Sequence, residues 1–524
     1  RDRYEGDEAA VVAIDTVSGG GASENGTQTV TVTISENESA PTVTLATSAT
    51  SIAENAGSSL TLTATLSNVA DEDVTVALST SGAATEGTDY TDGSGSINDI
   101  TISAGSTTGT VSFTPSDDSV YEDDEAAVIA VSGVSGADAT ESGTQSVTIT
   151  ITENESAPTV TLAVSATTIA ENAGSSLTLT ATLSGATDED VTVALGTSGS
   201  ATEGTDYTDG SGNVDDITIS AGSTTGTVSF TPTDDSIYED DETATIAITG
   251  VSGGGASESG TQTVTITISE NESAPTVALS VSASSIAENA GSSLTITATL
   301  SGAADEAVTV SLSTSSTATE GTDYTDGSGN VDDITISAGS TTGTVNFTPT
   351  DDSVYEGNET ATIAISGVSG ADATENGTQT VTITITENES APTITLARSA
   401  ASIDENSGST ITLTATISGV TDSAVTVALS TSGTATEGTD YGTISDITIS
   451  AGATTGTATL DPTDDNVYEG DETATIDISS VSGKSGVTEN STQQVSVTIA
   501  ENESAPTVTL SLIHISEPTR QWQI

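Results

Sequence analysis

The tetrapeptide Ser-Ala-Pro-Thr recurs with its proline at Pro41, Pro158, Pro275, Pro392 and Pro506, at spacings of 117, 117, 117 and 114 residues. A self-similar period of this kind means one folding unit used repeatedly, so the fold of a single copy largely decides the fold of the chain. Full copies span 39–155, 156–272, 273–389 and 390–503. Residues 1–38 read as the back third of an earlier copy and 504–509 as the start of another, so the expectation is a stretch of a longer array, open at both ends. The fourth copy is shorter because Tyr441 runs straight into Gly442-Thr443, where the first copy carries the loop from Asp92 to Gly95.

Within a copy the hydrophobic period is two. Leu60, Leu62, Ala64 and Leu66 alternate with Ser59, Thr61, Thr63 and Thr65; Val147, Ile149 and Ile151 alternate with Ser146, Thr148 and Thr150. That is the pattern of half-buried antiparallel strands. Seven such runs, separated by Gly- and Asp-rich turns, predict an all-β architecture of tandem, immunoglobulin-like, seven-stranded antiparallel β-sandwiches. Only 33% of residues are hydrophobic and 2% aromatic, so each core must be built from Val, Ile, Leu and Ala. Low hydrophobicity with high charge is also the signature of disorder, but a disordered chain has no reason to keep a strict alternation. Between one copy's last strand and the next lie only Glu153-Asn154-Glu155-Ser156-Ala157 before Pro158. Such a connector is semi-stiff, and copies should meet end to end. A ten-residue strand at ~3.3 Å per residue would give each copy ~35 Å, and four of them a rod of over ~100 Å.

The formal net charge is −72, from 77 acidic residues against five Lys and Arg. Such a surface repels nucleic-acid phosphates and anionic lipid headgroups. Its counter-species are cations. No cysteine is present, so disulfides do not hold the copies together. No apolar run is long enough to insert into a membrane. Outside the last residues there is no His or Cys and the single Lys is Lys484, so the abundant Ser lacks a base to activate it. Paired carboxylates could serve a glycosidase, but the same group recurs in every copy and reads as scaffold. The chain is read as a non-enzyme.

The acids are concentrated. In the first copy Glu54 precedes the second strand, Asp89 closes Glu86-Gly-Thr-Asp-Tyr90, Asp117-Asp118-Ser-Val-Tyr-Glu122-Asp123-Asp124-Glu125 follows the fifth strand, and Glu153 and Glu155 end the copy. Two unit charges about 4 Å apart repel by about 4 kcal/mol at an effective dielectric of 20, so such groups need a neutralising ion. Ca²⁺ takes six to eight oxygen ligands in flexible geometry, whereas Mg²⁺ demands a tight octahedron and softer metals need Cys or His. No segment matches the EF-hand loop or the glycine-rich calcium nonapeptide.

In combination, Ala-Thr-Glu-Gly-Thr-Asp-Tyr, Gly-Thr-Val-Ser-Phe-Thr-Pro (109–115) and Asp-Asp-Ser-Val-Tyr-Glu-Asp-Asp-Glu resemble the Calx-beta family. That family includes regulatory calcium-binding domains of sodium/calcium exchangers and modules of large bacterial surface proteins. The resemblance covers all four copies and both fragments. It implies calcium as the cofactor, with ligands at Glu54, Asp89, Asp117, Asp118, Glu122, Glu125, Glu153 and Glu155 in the first copy. The second copy offers Glu171, Asp206, Asp234, Asp235, Glu239, Glu242, Glu270 and Glu272, and the third Glu288, Asp323, Asp351, Asp352, Glu356, Glu359, Glu387 and Glu389. The fourth offers Glu405, Asp440, Asp464, Asp465, Glu469, Glu472, Glu501 and Glu503. Asp123-Asp124 becomes Gly357-Asn358 and Gly470-Asp471, as expected if the flanking Glu pair binds the ion and the middle pair is solvated. Asp71, Glu72, Asp73 and Asp138 also read as merely solvated. The exchanger pattern ends in consecutive Asp residues, whereas these copies end in Glu-Asn-Glu, which leaves ion number and affinity open.

The expected function is a calcium-binding structural array of a large extracellular or bacterial cell-surface, adhesin-like protein, with calcium ions and neighbouring repeats as its partners. Two alternatives stay open: a calcium-sensing region of a membrane transporter, and an acidic halophilic-type spacer without specific sites. Residues 510–524 break every pattern and hold the only His, His514, and the only Trp, Trp522. Leu510 to Arg520 is similar to a translated transposase-end sequencing adapter, so this tail is excluded from the functional reading.

Overall fold

The computed structural model describes residues 3–511, so all of the 510–524 tail except Leu510 and Ser511 lies outside the described residues. Among the described residues there is no helix, and hence none long and apolar enough to cross a membrane. The chain forms two compact units, one ending at Asp235 and including Asp240–Asn271, the other Ser236–Glu239 with the chain from Glu272 onward.

Near the N-terminus β1 (Glu8–Ala13) and β2 (Thr29–Ile34) make an antiparallel ribbon. The first full copy supplies β3 (Thr42–Thr47), β4 (Ser51–Ala53), β5 (Leu60–Leu66), β6 (Val74–Gly82), β7 (Tyr90–Thr91) and β8 (Ile100–Ile102). It continues with β9 (Thr108–Pro115), β10 (Val120–Tyr121), β11 (Glu125–Ser135), β12 (Thr140–Glu141) and β13 (Ser146–Thr152). Two sheets result, in the orders β4-β13-β11-β6-β8 and β12-β3-β5-β9-β7. The architecture is therefore all-β, a tandem series of immunoglobulin-like sandwiches. It differs from seven antiparallel strands in detail. Six long strands carry each sandwich, and segments of two or three residues complete the sheets. Two of those segments run parallel to their neighbours, β4 along β13 and β12 along β3.

The alternation sorts the side chains. Leu62, Ala64, Val74, Val76, Ile129 and Ile149 are fully buried between the sheets, while the threonines between them face outward. Tyr90 stacks on Phe113 with ring centroids 4.6 Å apart, and Tyr207–Phe230 and Tyr324–Phe347 repeat the pair. These rings fill the widest part of a core otherwise built of small aliphatics. In the fourth copy Leu460 replaces the Phe opposite Tyr441, and the shortened loop leaves that sheet with four strands. Gly82 ends β6 at φ +124°, and a Cβ there would lie 2.0 Å from the Ala126 carbonyl oxygen, a position that favours glycine; the third copy carries Ser316 there, also at positive φ, 107°.

β10 belongs to neither sheet of its own copy. Val120 and Tyr121 pair in parallel with Ala186 and Thr187 of the second copy, and the Asp188 amide donates to the Tyr121 carbonyl at 3.3 Å. In the second unit Val354 and Tyr355 pair in the same way with Val420 and Thr421. Each tyrosine ring also enters a glycine-lined loop of the following copy. A Cβ on Gly255 would lie 2.6 Å from Tyr121 Cε1, and one on Gly486 would lie 2.3 Å from the Tyr355 hydroxyl. Tyr4 uses its hydroxyl instead, donating to Asp138 at 2.8 Å. In the fourth copy Val467 and Tyr468 are exposed, at 56% and 44%, where their counterparts in the first and third copies are half-buried.

Candidate functional site

The loops gathered at the β10 end of each sandwich bring the acids together. Glu54 follows β4, whose parallel pairing with β13 sets Glu54 beside the connector, and the Glu54 amide donates to the Thr152 carbonyl. Asp89 precedes β7, and its carboxylate accepts from the Thr85 amide. Glu125 opens β11 opposite Ile151, with Glu122 one turn of loop before it. Two groups of three result, Glu54-Glu153-Glu155 and Asp89-Glu122-Glu125, each with carboxylate oxygens within 4.8 Å of one another. In the third copy Glu288, Glu387 and Glu389 form the first of these groups.

Glu54 and Glu288 are 7% and 6% exposed, an unusual position for a carboxyl with no positive partner beside it. Burial, then the charges of Glu153, Glu155 and Asp118, push Glu54 up to about 7, although the Asp118 amide donates to its Oε1 at 3.2 Å. Glu122 is pushed up to about 7 by burial and then by Asp89, Glu125, Asp118 and Glu54. Glu125 also reaches about 7, through burial, a hydrogen bond shared with Asp89, and the charges of Asp89, Asp188 and Glu54. Glu153 behaves oppositely. Burial raises it, but the amides of Glu155, Glu122 and Asn154 outweigh burial and hold its carboxylate below the ordinary range. Glu155 Oε2, like Glu389 Oε2 in the third copy, is buried with no hydrogen-bond partner.

The same arrangement recurs with small changes. In the second copy Glu171, 7% exposed, accepts from the Asp235 amide and lies near Glu270 and Asp234, while Asp206 takes the Thr202 amide. Glu242 opens its strand, and Glu239 and Glu272 belong to the other compact unit. In the third copy Glu288 accepts from the Asp352 amide, and Glu359 shares a hydrogen bond with Asp323 beside Glu356. In the fourth, Glu472 pairs with Asp440 beside Glu469, and Glu503 pairs with Glu501 near Glu405 and Asp464.

Asp117, Asp118, Asp351, Asp352 and Asp464 stay exposed on the rim, and Asp465 is half-buried there. Asp118 Oδ1 accepts its own turn's Val120 amide at 2.7 Å, as Asp352 and Asp465 do for Val354 and Val467.

Several acids read as solvated have structural partners. Asp124 Oδ1 accepts the Glu153 amide at 2.9 Å; Asp241, Asn358 and Asp471 take the equivalent amides of Glu270, Glu387 and Glu501. Only a short side chain with an Oδ1 reaches that amide, which explains why Asp and Asn alternate there while the preceding position drifts to Gly. Asp138 takes the Tyr4 hydroxyl, and Asp73 takes the Ala104 amide at 2.7 Å. Sequence reasoning also missed Glu86, which accepts from Thr80 Oγ1 at 2.7 Å and pins the loop bearing Asp89. It missed Asp188 and Asp422 as well. Both come from the following copy and face Glu125 and Glu356 of the copy before. Each directly follows the two-residue segment that pairs across copies, Ala186–Thr187 and Val420–Thr421, and so short a segment carries no signal of that contact in the sequence.

A donor set of carboxylate oxygens alone, with no imidazole or thiolate, fits a hard divalent cation and excludes a soft one. The buried Oε2 atoms of Glu155 and Glu389, and the raised carboxyls of Glu54, Glu122 and Glu125, mark where positive charge from such an ion would be felt.

Two-sheet sandwiches in tandem, each with carboxylates gathered at one end, define a β-sandwich repeat protein with acidic sandwich ends. The chain belongs to the Calx-beta family, whose domain model matches residues 36–155, 153–272, 270–389 and 387–503. No curated protein matches the chain. Among solved structures it is similar to CBD12 from CALX1.2, at 17% identity over 42% of this chain and 99% of that chain, with a TM-score of 0.20. A Calx CBD1 domain in its apo form is 23% identical, over 21% of this chain and 98% of that one, with a TM-score of 0.18. Invasin, a bacterial integrin-binding protein, is 15% identical over 88% of this chain and 79% of its own, with a TM-score of 0.22.

Proposed function

We propose that the chain is a calcium-binding structural array of an extracellular or cell-surface, adhesin-like protein, in which calcium neutralises the acidic end of each sandwich and stiffens its junction with the next. The observation that carries this reading is the pair of three-carboxylate groups at the end where β10 crosses to the following copy. The ligands would be Glu54, Glu153 and Glu155 in one group and Asp89, Glu122 and Glu125 in the other, with Asp117 and Asp118 on the rim, and their counterparts in the later copies. The same constellation repeats with little variation, which suits a spacer better than a receptor with a unique surface or an enzyme. An array bathed in abundant calcium needs no tight sites, so dissociation constants of ~10⁻⁴ to 10⁻³ M are expected.

The test is thermal unfolding of the whole chain with calcium and with chelator. A ion bound only by the folded state stabilises it by mass action, so chelation should lower the melting temperature. Sodium chloride at matched ionic strength should not restore it. Full rescue by sodium chloride would identify the acids as a general polyanionic surface and reject specific sites.

A further inference from the structure

In the second and fourth copies the loop between the last two long strands receives a tyrosine of the copy before it, and the composition of this loop differs from copy to copy. It reads Gly136-Ala137-Asp138 in the first, Gly253-Gly254-Gly255 in the second and Gly370-Ala371-Asp372 in the third. In the fourth it is Gly483-Lys484-Ser485-Gly486, one residue longer and bearing the only lysine of the chain. This is the loop that receives Tyr355, since a Cβ on Gly486 would touch the Tyr355 hydroxyl. Docking of Tyr355 therefore fixes where Lys484 lies. Its ammonium is 2.6 Å from Asp422 Oδ1, and its side chain is only 13% exposed. Asp422 comes immediately after Thr421, whose parallel pairing with Tyr355 sets it at the junction with the third copy.

We propose that Lys484 is a tethered counter-cation for the third copy's Asp323-Glu356-Glu359 group, so that the junction between the third and fourth copies holds together without a bound metal and draws less on calcium than the first junction does. The contrast lies within one molecule. At the first junction Asp188 meets Asp123 and Asp89 with the loop Gly253-Gly254-Gly255 above it, which offers no cation. At the third, a desolvated ammonium neutralises the equivalent Asp422. Asp422 directly follows Thr421, which pairs with Tyr355, and Glu356 directly follows Tyr355, so the ammonium is held at the same crossing point. A long lysine is costly to bury unless its charge is paired, which argues that the contact is specific and not a chance surface pairing.

The comparison with calcium rests on the calcium reading above; the lysine bridge does not. Hydrogen exchange on the whole chain in chelator separates the two. Amides at 354–359 should exchange about fivefold more slowly than those at 120–125, as expected for one additional partly exposed ion pair. Lys484→Gln should abolish that difference, and Lys484→Arg should keep most of it. Arg398→Gln removes the same charge from the same copy, at a side chain bonded to the Ala401 carbonyl, and should change nothing at 354–359. Calcium should then slow exchange at 120–125 more than at 354–359 in the wild type, and equally at both in Lys484→Gln. Equal exchange at the two junctions in chelator, or no response to Lys484→Gln, overturns the proposal. If Lys484→Gln accelerates 354–359 in chelator but calcium slows neither junction, the bridge stands and the calcium reading falls.

Discussion

At the scale of residues, position along a strand decides what an acid does. Glu472 and Asp477 lie on one strand, Glu472–Ser482, five positions apart. Glu472 sits at its head, where burial, the shared hydrogen bond with Asp440 and the charge of Glu469 push it up to about 7. Asp477 sits mid-strand on the solvent face, bonded to Gln494 at 2.8 Å. Glu472→Gln should therefore remove one copy's share of calcium binding, whereas Asp477→Asn should leave the isotherm unchanged. Calorimetry on the whole chain reads both, and equal losses would reject the ligand assignment. Asp124 makes a different claim. Because its Oδ1 holds the Glu153 amide, Asp124→Asn should be silent, while Asp124→Ala should speed exchange of that amide. The ligand candidates were legible because carboxylates in clusters repel and because the whole cluster repeats. The role of Asp124 was not, since a hydrogen bond to an amide 29 residues away leaves no mark in a linear pattern.

At the scale of elements, each sandwich depends on a few large side chains. Phe113 on β9 is fully buried against Tyr90, and it faces aliphatics too small to close over a void. Phe113→Ala should cost that copy about 3–5 kcal/mol, the usual range for an aromatic deleted from a core. Denaturant unfolding should then show one early transition, with the other copies melting as before. The two-residue period predicted β5 and β13 directly, because alternation over seven residues is hard to satisfy in any other way. The short elements escaped it. β7, β8, β10 and β12 have two or three residues, too few to display a period, and they exist because neighbouring strands offer them partners. β10 escaped most completely, since its partner lies in another copy.

At the scale of the whole molecule, the charge on the folded chain depends on pH in a specific way. Glu54, Glu122 and Glu125 are held up to about 7, against about 4.3 for a glutamate in an unfolded chain. Between those values the folded chain keeps protons that the unfolded chain has released, so metal-free stability falls as pH rises through that window. Calcium requires the ionised carboxylates, so its stabilising effect grows over the same window. In chelator the melting temperature should be lower at pH 8 than at pH 5.5, and the gain on adding calcium should be larger at pH 8. A metal-free chain that melts higher at pH 8 would contradict the desolvation of these groups. The narrow outer strands have a consequence of another kind. Neighbouring copies are nearly the same sequence and are held a few residues apart, so during synthesis each strand meets a second ladder that would accept it almost as well as its own. Exchange of strands between like neighbours is the common misassembly of tandem proteins. β4, β7, β8 and β12 close the sheets with two or three residues each, which gives a stray strand little backbone to bond to. The brevity of those edges thus protects the array while it is being made, when its copies are most easily confused with one another.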